Sequence, residues 1–399
     1  MDAQNLIEMA ETYGSSNYAP VPLVLSRGEG VWLYDADGRR YLDMMSANSA
    51  TNLGHAHPRM VKAVCDQAGK LSVISRAFYS ETLGPLMKKL CDISGLDRVL
   101  PMNSGAEAVE TAVKIARKWG YVKKGIPLNE ARILACTGNF HGRTTALIGF
   151  SDTRKAYEFF GPHTPGFDVA QYGDIESARQ RITENTCAIL VEPIQGEAGV
   201  RIPPEGYLRE LRALCDEHNL LLILDEIQSA FGRCGMMFSH DGEDIKPDVL
   251  TLGKTLGGGM VPISVAMGRK DVMDVLVPGE HGSTFGGNPL ACRCALEAIA
   301  IIEDENLCEN AKRQGAKLMD ALRKISNPQI VDIRGRGLLA AVEMGEGEMS
   351  AHDYCERLRE RGVLAKETRV HSIRLAPPIN INDDEMDFAI EQLVGALSA

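Results

Sequence analysis

The sequence predicts an α/β protein built around a largely parallel sheet, with a smaller α+β unit at its C-terminal end. Three observations carry this reading. From about residue 57, short and uniformly apolar runs alternate with longer amphipathic stretches. Strands apolar on every position imply a sheet covered on both faces, and such sheets are mostly parallel with helical crossovers. After residue 305 the texture changes to charged amphipathic stretches and shorter strand-like runs. Near the N-terminus, Gly30-Val31-Trp32-Leu33-Tyr34 and Arg40-Tyr41-Leu42-Asp43-Met44 flank Asp37-Gly38, which reads as a β-hairpin.

In chain order, apolar periodicity predicts helices over 105–120, 204–219 and 288–304. Strands are predicted over 132–136, 188–191 and 220–224. Beyond 305, helices over 307–326 and 349–362 alternate with strands around 329–344 and 371–376, and a last helix starts near 382. No internal repeat, low-complexity segment or flexible linker interrupts the chain. Two domains are expected: a large one over 46–304 and a small one over 305–399, with segment 1–45 joining the small domain.

Composition narrows the function. The 399 residues carry 43 Lys+Arg against 54 Asp+Glu, a net charge of −11. This balance argues against nucleic-acid and anionic-membrane partners, which need clustered positive charge. No apolar run approaches the roughly 18 residues of a membrane helix. The opening Met1-Asp2-Ala3-Gln4-Asn5-Leu6 has no secretory or transit character, so a cytoplasmic protein is expected. The ten cysteines sit in apolar stretches such as Val61 to Cys65 and Ala213 to Cys215, as small reduced hydrophobes. Cys292 and Cys294 form a C-x-C in a helical pattern without a second pair, so neither disulfides nor a zinc site is expected.

The chemistry begins at the apolar run Leu220 to Leu224, which ends in Asp225-Glu226. Ligands of open parallel sheets bind beyond the carboxyl ends of strands, where such an acid would stand. Alone, it would as readily be a helix cap. Further on, Val249 to Leu252 delivers Lys254 into the turn Gly253-Lys254-Thr255-Leu256-Gly257-Gly258-Gly259. A phosphate-binding P-loop needs a glycine where this chain has Asp248. The G-x-G-x-x-A at Gly335, Gly337 and Ala340 leads into a strand-like run, against a dinucleotide fingerprint.

A lysine at a strand end can instead hold an aldehyde covalently, and pyridoxal phosphate is the common such aldehyde. That cofactor needs a carboxylate for its ring nitrogen, N–H donors for its phosphate and a flat neighbour for its ring. Asp225 suits the first need, and Asn103-Ser104-Gly105-Ala106 at the start of the 105–120 helix suits the second. Phe140 suits the third.

The motifs Asn103-Ser104-Gly105-Ala106-Glu107-Ala108, Phe140-His141-Gly142-Arg143-Thr144 and Val191-Glu192-Pro193-Ile194-Gln195-Gly196-Glu197 appear in order. They are followed by Leu224-Asp225-Glu226-Ile227-Gln228, Leu252-Gly253-Lys254 and Gly282-Ser283-Thr284-Phe285-Gly286-Gly287-Asn288-Pro289. With the 29-residue step from Asp225 to Lys254, they resemble the class III pyridoxal-phosphate aminotransferases, from about residue 15 to the end. Ser75-Arg76-Ala77-Phe78-Tyr79, Glu280-His281-Gly282-Ser283-Thr284 and Ile373-Arg374-Leu375-Ala376-Pro377-Pro378 make the likeness strongest to the ornithine-type members.

The resemblance implies an aspartate-aminotransferase-like (fold type I) large domain with a mostly parallel sheet, beside a smaller α+β domain. It implies pyridoxal 5'-phosphate as cofactor, with Lys254 as its covalent anchor and proton carrier and Asp225 on the ring nitrogen. Gln228 would bond the ring oxygen, Phe140 would stack on the ring, and Ser104, Gly105 and Ala106 would hold the phosphate. Glu192 would support the ring indirectly, and His141 would line the pocket without a proton-transfer role. Ser283 and Thr284 would reach in from a second subunit, implying a homodimer with shared active sites or a higher assembly of such dimers.

The same resemblance implies transfer of the terminal amino group of L-ornithine, or a related ω-amino acid, to 2-oxoglutarate. Arg143 would hold the donor's α-carboxylate, and Tyr79 matches the aromatic associated with ornithine-type donors. Glu197 would mask Arg374 while the donor is bound and release it for the oxo acid, whose carboxylate a guanidinium fork binds well. Asn48 departs from the pattern, since ornithine-type enzymes carry a tyrosine there. Either the site takes ornithine with water in the gap, or the donor differs at its far end, or Asn48 is a loop residue without substrate contact. The alternatives in function are an acetylornithine- or 4-aminobutyrate-type aminotransferase, or a racemase or aminomutase on the same scaffold. A non-catalytic relative is disfavoured by the presence of both Lys254 and Asp225. His55 and His57 read as capping and packing residues, and no metal is expected.

Overall fold

The structure is a computed structural model that describes residues 2–398. Its centre is a seven-stranded sheet, in spatial order Arg98–Met102, Ser264–Gly268, Val249–Leu252, Leu221–Asp225, Thr186–Val191, Arg132–Cys136 and Phe167–Ala170. The last five pair in parallel, and Ser264–Gly268 runs antiparallel to both its neighbours. Every residue of the four strands Thr186–Val191, Leu221–Asp225, Val249–Leu252 and Ser264–Gly268 is buried. The alternation of side chains along each strand sends them to two separate cores. Ala188, Leu190, Leu221 and Ile223 pack with Val109, Ala112 and Ala116 of the helix Gly105–Trp119. Ile189, Val191, Leu222 and Leu224 face Leu208 and Leu211 of the helix Tyr207–Glu217.

A four-stranded antiparallel sheet follows, in order Ile330–Arg336, Leu339–Met344, Ser372–Leu375 and Lys366–Thr368. The N-terminal hairpin forms with Gly38 at φ +87° in its turn. Arg40–Asp43 also pairs in parallel with Val363–Leu364, which joins the two ends of the chain in one sheet.

Most differences from the sequence expectations lie at element boundaries. The helix expected from 204 starts at Tyr207, because Pro203 and Pro204 precede Gly206, which holds φ +83° at the N-cap. The run expected over 349–362 is trimmed to Ala351–Glu360 by a capping box between Ser350 and Asp353. The single strand region 329–344 is a hairpin. Cys65 is exposed and not packed among its apolar neighbours, since helix Pro58–Ala68 turns that face outward.

The glycine motif at 335–340 serves packing. Gly337, at φ +57°, forms the hairpin turn and presses its backbone on Arg233 to Gly235 and on Gly315 of helix Leu307–Leu322. A Cβ on Gly315 would stand 2.1 Å from the Gly337 carbonyl oxygen. Alanine in a helix interior ordinarily stabilises by about 0.5–1 kcal/mol over glycine. Here backbone lies in the way, and overpacking costs about 1–3 kcal/mol. Gly315→Ala is therefore expected to lower stability by roughly 1–2 kcal/mol in denaturant unfolding, and a gain in stability would refute the contact.

Candidate active site

The carboxyl ends of the central strands open on a cavity of about 540 Å³. Ser104, Gly105, Ala106, Phe140, His141, Glu192, Asp225, Gln228 and Lys254 all line it. Lys254 follows strand Val249–Leu252 after one glycine and holds φ +46°, a left-handed conformation that costs a non-glycine residue about 1–2 kcal/mol. Burial lowers its pKa, with the Arg374 charge adding to that effect and the Glu197, Asp225 and Glu192 carboxylates opposing it. An amine so placed sheds its proton more readily than an ordinary lysine, as a nucleophile or base requires.

Asp225 ends strand Leu221–Asp225 and is buried. Its Oδ2 meets His141 Nδ1 at 2.7 Å, and its Oδ1 accepts from the Ile227 N–H at 3.1 Å. Burial by itself would lower the His141 pKa, but the bond to and charge of Asp225, with help from Glu192, raise it. The buried Nε2 of His141 has no hydrogen-bond partner among the described residues. Glu192 accepts from the Phe140 N–H at 3.1 Å, and burial pushes its carboxyl up to about 8, over the opposing pull of His141.

At the helix start, Ser104 is the N-cap of Gly105–Trp119. Its hydroxyl accepts from the Glu107 N–H at 3.2 Å, and Glu107 Oε2 accepts from the Ser104 N–H at 2.7 Å. Ser104 is thus committed to its own capping box. The first-turn N–H groups of Gly105 and Ala106 have no intrahelical acceptor and are the natural anion donors. Phe140 carries the Arg143 guanidinium over its ring, 4.9 Å from the centroid.

A second charged group lies behind Gln228 of the cavity wall. Arg374, buried on strand Ser372–Leu375, donates from Nη1 to Glu197 Oε1 at 2.6 Å. Gln228 Nε2 donates to the same oxygen at 3.2 Å. Arg374 Nη2 donates to Asn48 Oδ1, so Asn48 contacts the arginine of the expected switch. Burial favours the neutral form of Glu197, but the charge of Arg374, that of Lys254 and the two hydrogen bonds outweigh it and lower its pKa.

None of the residues expected to bind substrate (Asn48, Tyr79, Arg143, Glu197 and Arg374) lines this cavity, and neither do Ser283 and Thr284. Tyr79 is 99% exposed, and Ser283 Oγ accepts from Asn103 Nδ2 of its own chain at 2.7 Å. The sequence reading missed Ile227, whose side chain packs against Gly105 and Gly253, and the wall from Met260 to Ile263. Apolar residues in a loop carry no chemical signature. The direct His141–Asp225 bond was also missed, as 84 residues separate the partners. His55 meets Asp43 at 2.8 Å and His57 meets Glu305 at 3.2 Å, the latter without any side-chain cap bond. Among the described residues no cluster of His, Cys, Asp and Glu has the form of a metal site.

The family model for class-III aminotransferases matches residues 13–397. The chain belongs to the class III aminotransferases. Within that family, it is 50% identical over 391 residues to ornithine aminotransferase 2 of Staphylococcus aureus, covering 98% of each chain. The ornithine aminotransferase of Toxoplasma gondii superposes with a TM-score of 0.98 at 43% identity, over 100% of this chain and 95% of that one. The acetylornithine aminotransferase of Elizabethkingia anophelis has a TM-score of 0.90 at 42% identity, over 100% and 99%. This aminotransferase therefore has the fold type I architecture and depends on pyridoxal phosphate. Its cavity fits that group chemically: an amine with a lowered pKa, a buried carboxylate and first-turn N–H donors converge on one space.

Glu192 gives the apo aminotransferase a pH signature. Folding raises its pKa from 4.5 to about 8, so its stabilising share is whole below pH 4.5 and is lost as pH rises through 8. In Glu192→Gln, which mimics the neutral acid, thermal stability of the apoprotein should fall less than in the parent between those limits. Parallel melting profiles for parent and variant would overturn the assignment.

Proposed function

We propose that the enzyme moves the terminal amino group of L-ornithine to 2-oxoglutarate, giving glutamate 5-semialdehyde and glutamate. The observation that carries this reading is the closed Glu197–Arg374 pair, bonded through Glu197 to Gln228 in the wall of the cavity that holds Lys254. An open arginine there would draw in the α-carboxylate of any amino acid and present the wrong amine. Masking it by Glu197 removes that attraction and leaves Arg143, exposed at Phe140, to hold the donor's carboxylate. Relatives named ornithine aminotransferase support the donor.

When bound, pyridoxal phosphate supplies an aldehyde that takes up amino groups and a ring that withdraws electrons from the reacting carbon. Asp225 holds a proton at the ring nitrogen, and His141 fixes the orientation of that carboxylate. Lys254 Nζ would accept the proton from the carbon bearing the amino group and hold it for return, a task suited to its lowered pKa. Gly105 and Ala106, with Ser104 shaping the turn, would hold the phosphate; Phe140 and Gln228 would flank the ring, and Glu192 would support it through the Phe140 backbone. In the second half-reaction Glu197 withdraws, and Arg374 binds a carboxylate of 2-oxoglutarate.

We assign the working form as a cytoplasmic homodimer in which Ser283 and Thr284 complete the partner's site. In support, the segments around Arg76 and Gly286 pack together, and they leave Phe78, Tyr79 and Phe285 exposed on the single chain. All ten cysteines are free, as suits a reducing compartment.

The holoenzyme, mixed in turn with L-ornithine, N-acetylornithine, lysine and 4-aminobutyrate without oxo acid, should lose its cofactor absorbance rapidly with L-ornithine alone. Bleaching by N-acetylornithine with no response to ornithine would keep the chemistry and overturn the donor. Lys254→Ala should lose activity by on the order of 10⁴-fold or more, and no cofactor should remain attached after borohydride reduction and denaturation. Retained attachment would sink the lysine assignment.

A further inference from the structure

We propose that Asn48 determines specificity as a neutral second clamp on Arg374, holding the guanidinium nitrogen that Glu197 leaves free. This inference rests on the reading of donor and acceptor above and deepens its account of how Arg374 is masked. A guanidinium presents two terminal nitrogens to a carboxylate. Glu197 Oε1 engages Nη1 at 2.6 Å, and Asn48 Oδ1 accepts from Nη2. Gln228 Nε2 donates to Glu197 Oε1 at 3.2 Å and to the Asn48 carbonyl oxygen at 3.4 Å, which closes a ring of four residues. The orientation of the Asn48 amide follows from chemistry, because a guanidinium offers only donors and its neighbour must turn an oxygen toward it.

With Glu197 alone, Nη2 would keep a free donor, and a substrate carboxylate could attach through a single bond. Asn48 occupies that donor without adding negative charge. A neutral acceptor lacks the ion-pair attraction that a carboxylate adds, so the second carboxylate of 2-oxoglutarate can displace it. A charged residue at the same place would bar the oxo acid as well as the wrong donor.

The backbone holds Asn48 in place. Ser46, Ala47, Asn48 and Ser49 all have positive φ, a left-handed turn of four non-glycine residues. Ser46 Oγ donates to the Ala376 carbonyl at 2.7 Å, just beyond the strand that carries Arg374. Thr255 Oγ1 donates to the Ser49 carbonyl at 2.8 Å, next to Lys254. Asn48 is thereby set in register with both the arginine and the lysine.

Holoenzyme carrying Asn48→Leu or Asn48→Asp tests this. Glutarate, an unreactive dicarboxylate, is the probe, with its binding followed by calorimetry and by inhibition of the 2-oxoglutarate half-reaction. Asn48→Leu should bind glutarate about tenfold more tightly and Asn48→Asp about tenfold more weakly. The KM for 2-oxoglutarate should fall in Asn48→Leu and rise in Asn48→Asp. Equal shifts in both variants, or none, would overturn the clamp. If glutarate affinity splits between the variants while ornithine fails to reduce the parent enzyme, the clamp stands and the donor reading falls.

Discussion

A sheet buried on both faces has only its strand ends at which to place charge, and the site follows from that constraint. Along residues 187–191 and 221–224 each side chain is committed to one of two apolar cores. The first positions free to be polar are those just beyond the carboxyl ends. Glu192, Asp225 and Lys254 occupy them on three adjacent strands, so ionisable groups distant in sequence meet in one space. The low polarity of that space then perturbs them: Lys254 is lowered, Glu192 is raised, and His141 is held to Asp225.

The same region concentrates backbone strain. Lys254 and residues 46–49 hold left-handed conformations that isolated peptides avoid. Such conformations persist where surrounding structure over-determines them. Here Asp43 accepts from the N–H groups of Met45 and Ser46, and Ala376 and Thr255 fix the turn's other polar groups. The turn therefore links the antiparallel sheet bearing Arg374 to the central sheet bearing Lys254.

Much of this was legible in the sequence, and the reasons differ by residue. Lys254, Asp225 and Gly105 announce themselves because each stands where an apolar strand or helix pattern breaks at a chemically distinctive residue. The helix and strand assignments are right in kind because periodicity reports burial, which tertiary packing then respects. Boundaries were less readable at Gly206 and Ser350, where caps and turns decide, not periodicity. Neither the Asn48–Arg374 contact nor the His141–Asp225 bond could be read, since each joins segments brought together only by the finished topology. The bond of Ser104 to Glu107 follows the Ser-x-x-Glu pattern of a capping box, which residues 104–107 carry.

The parallel pairing of Arg40–Asp43 with Val363–Leu364 sets an order on the birth of the molecule. At a synthesis rate of about 5–20 residues per second, the earlier strand waits roughly 15–60 s for its partner to emerge. During that interval its edge is open, and an open edge is a template for pairing with other chains. The last-made part of the chain therefore closes an edge that the first-made part leaves open.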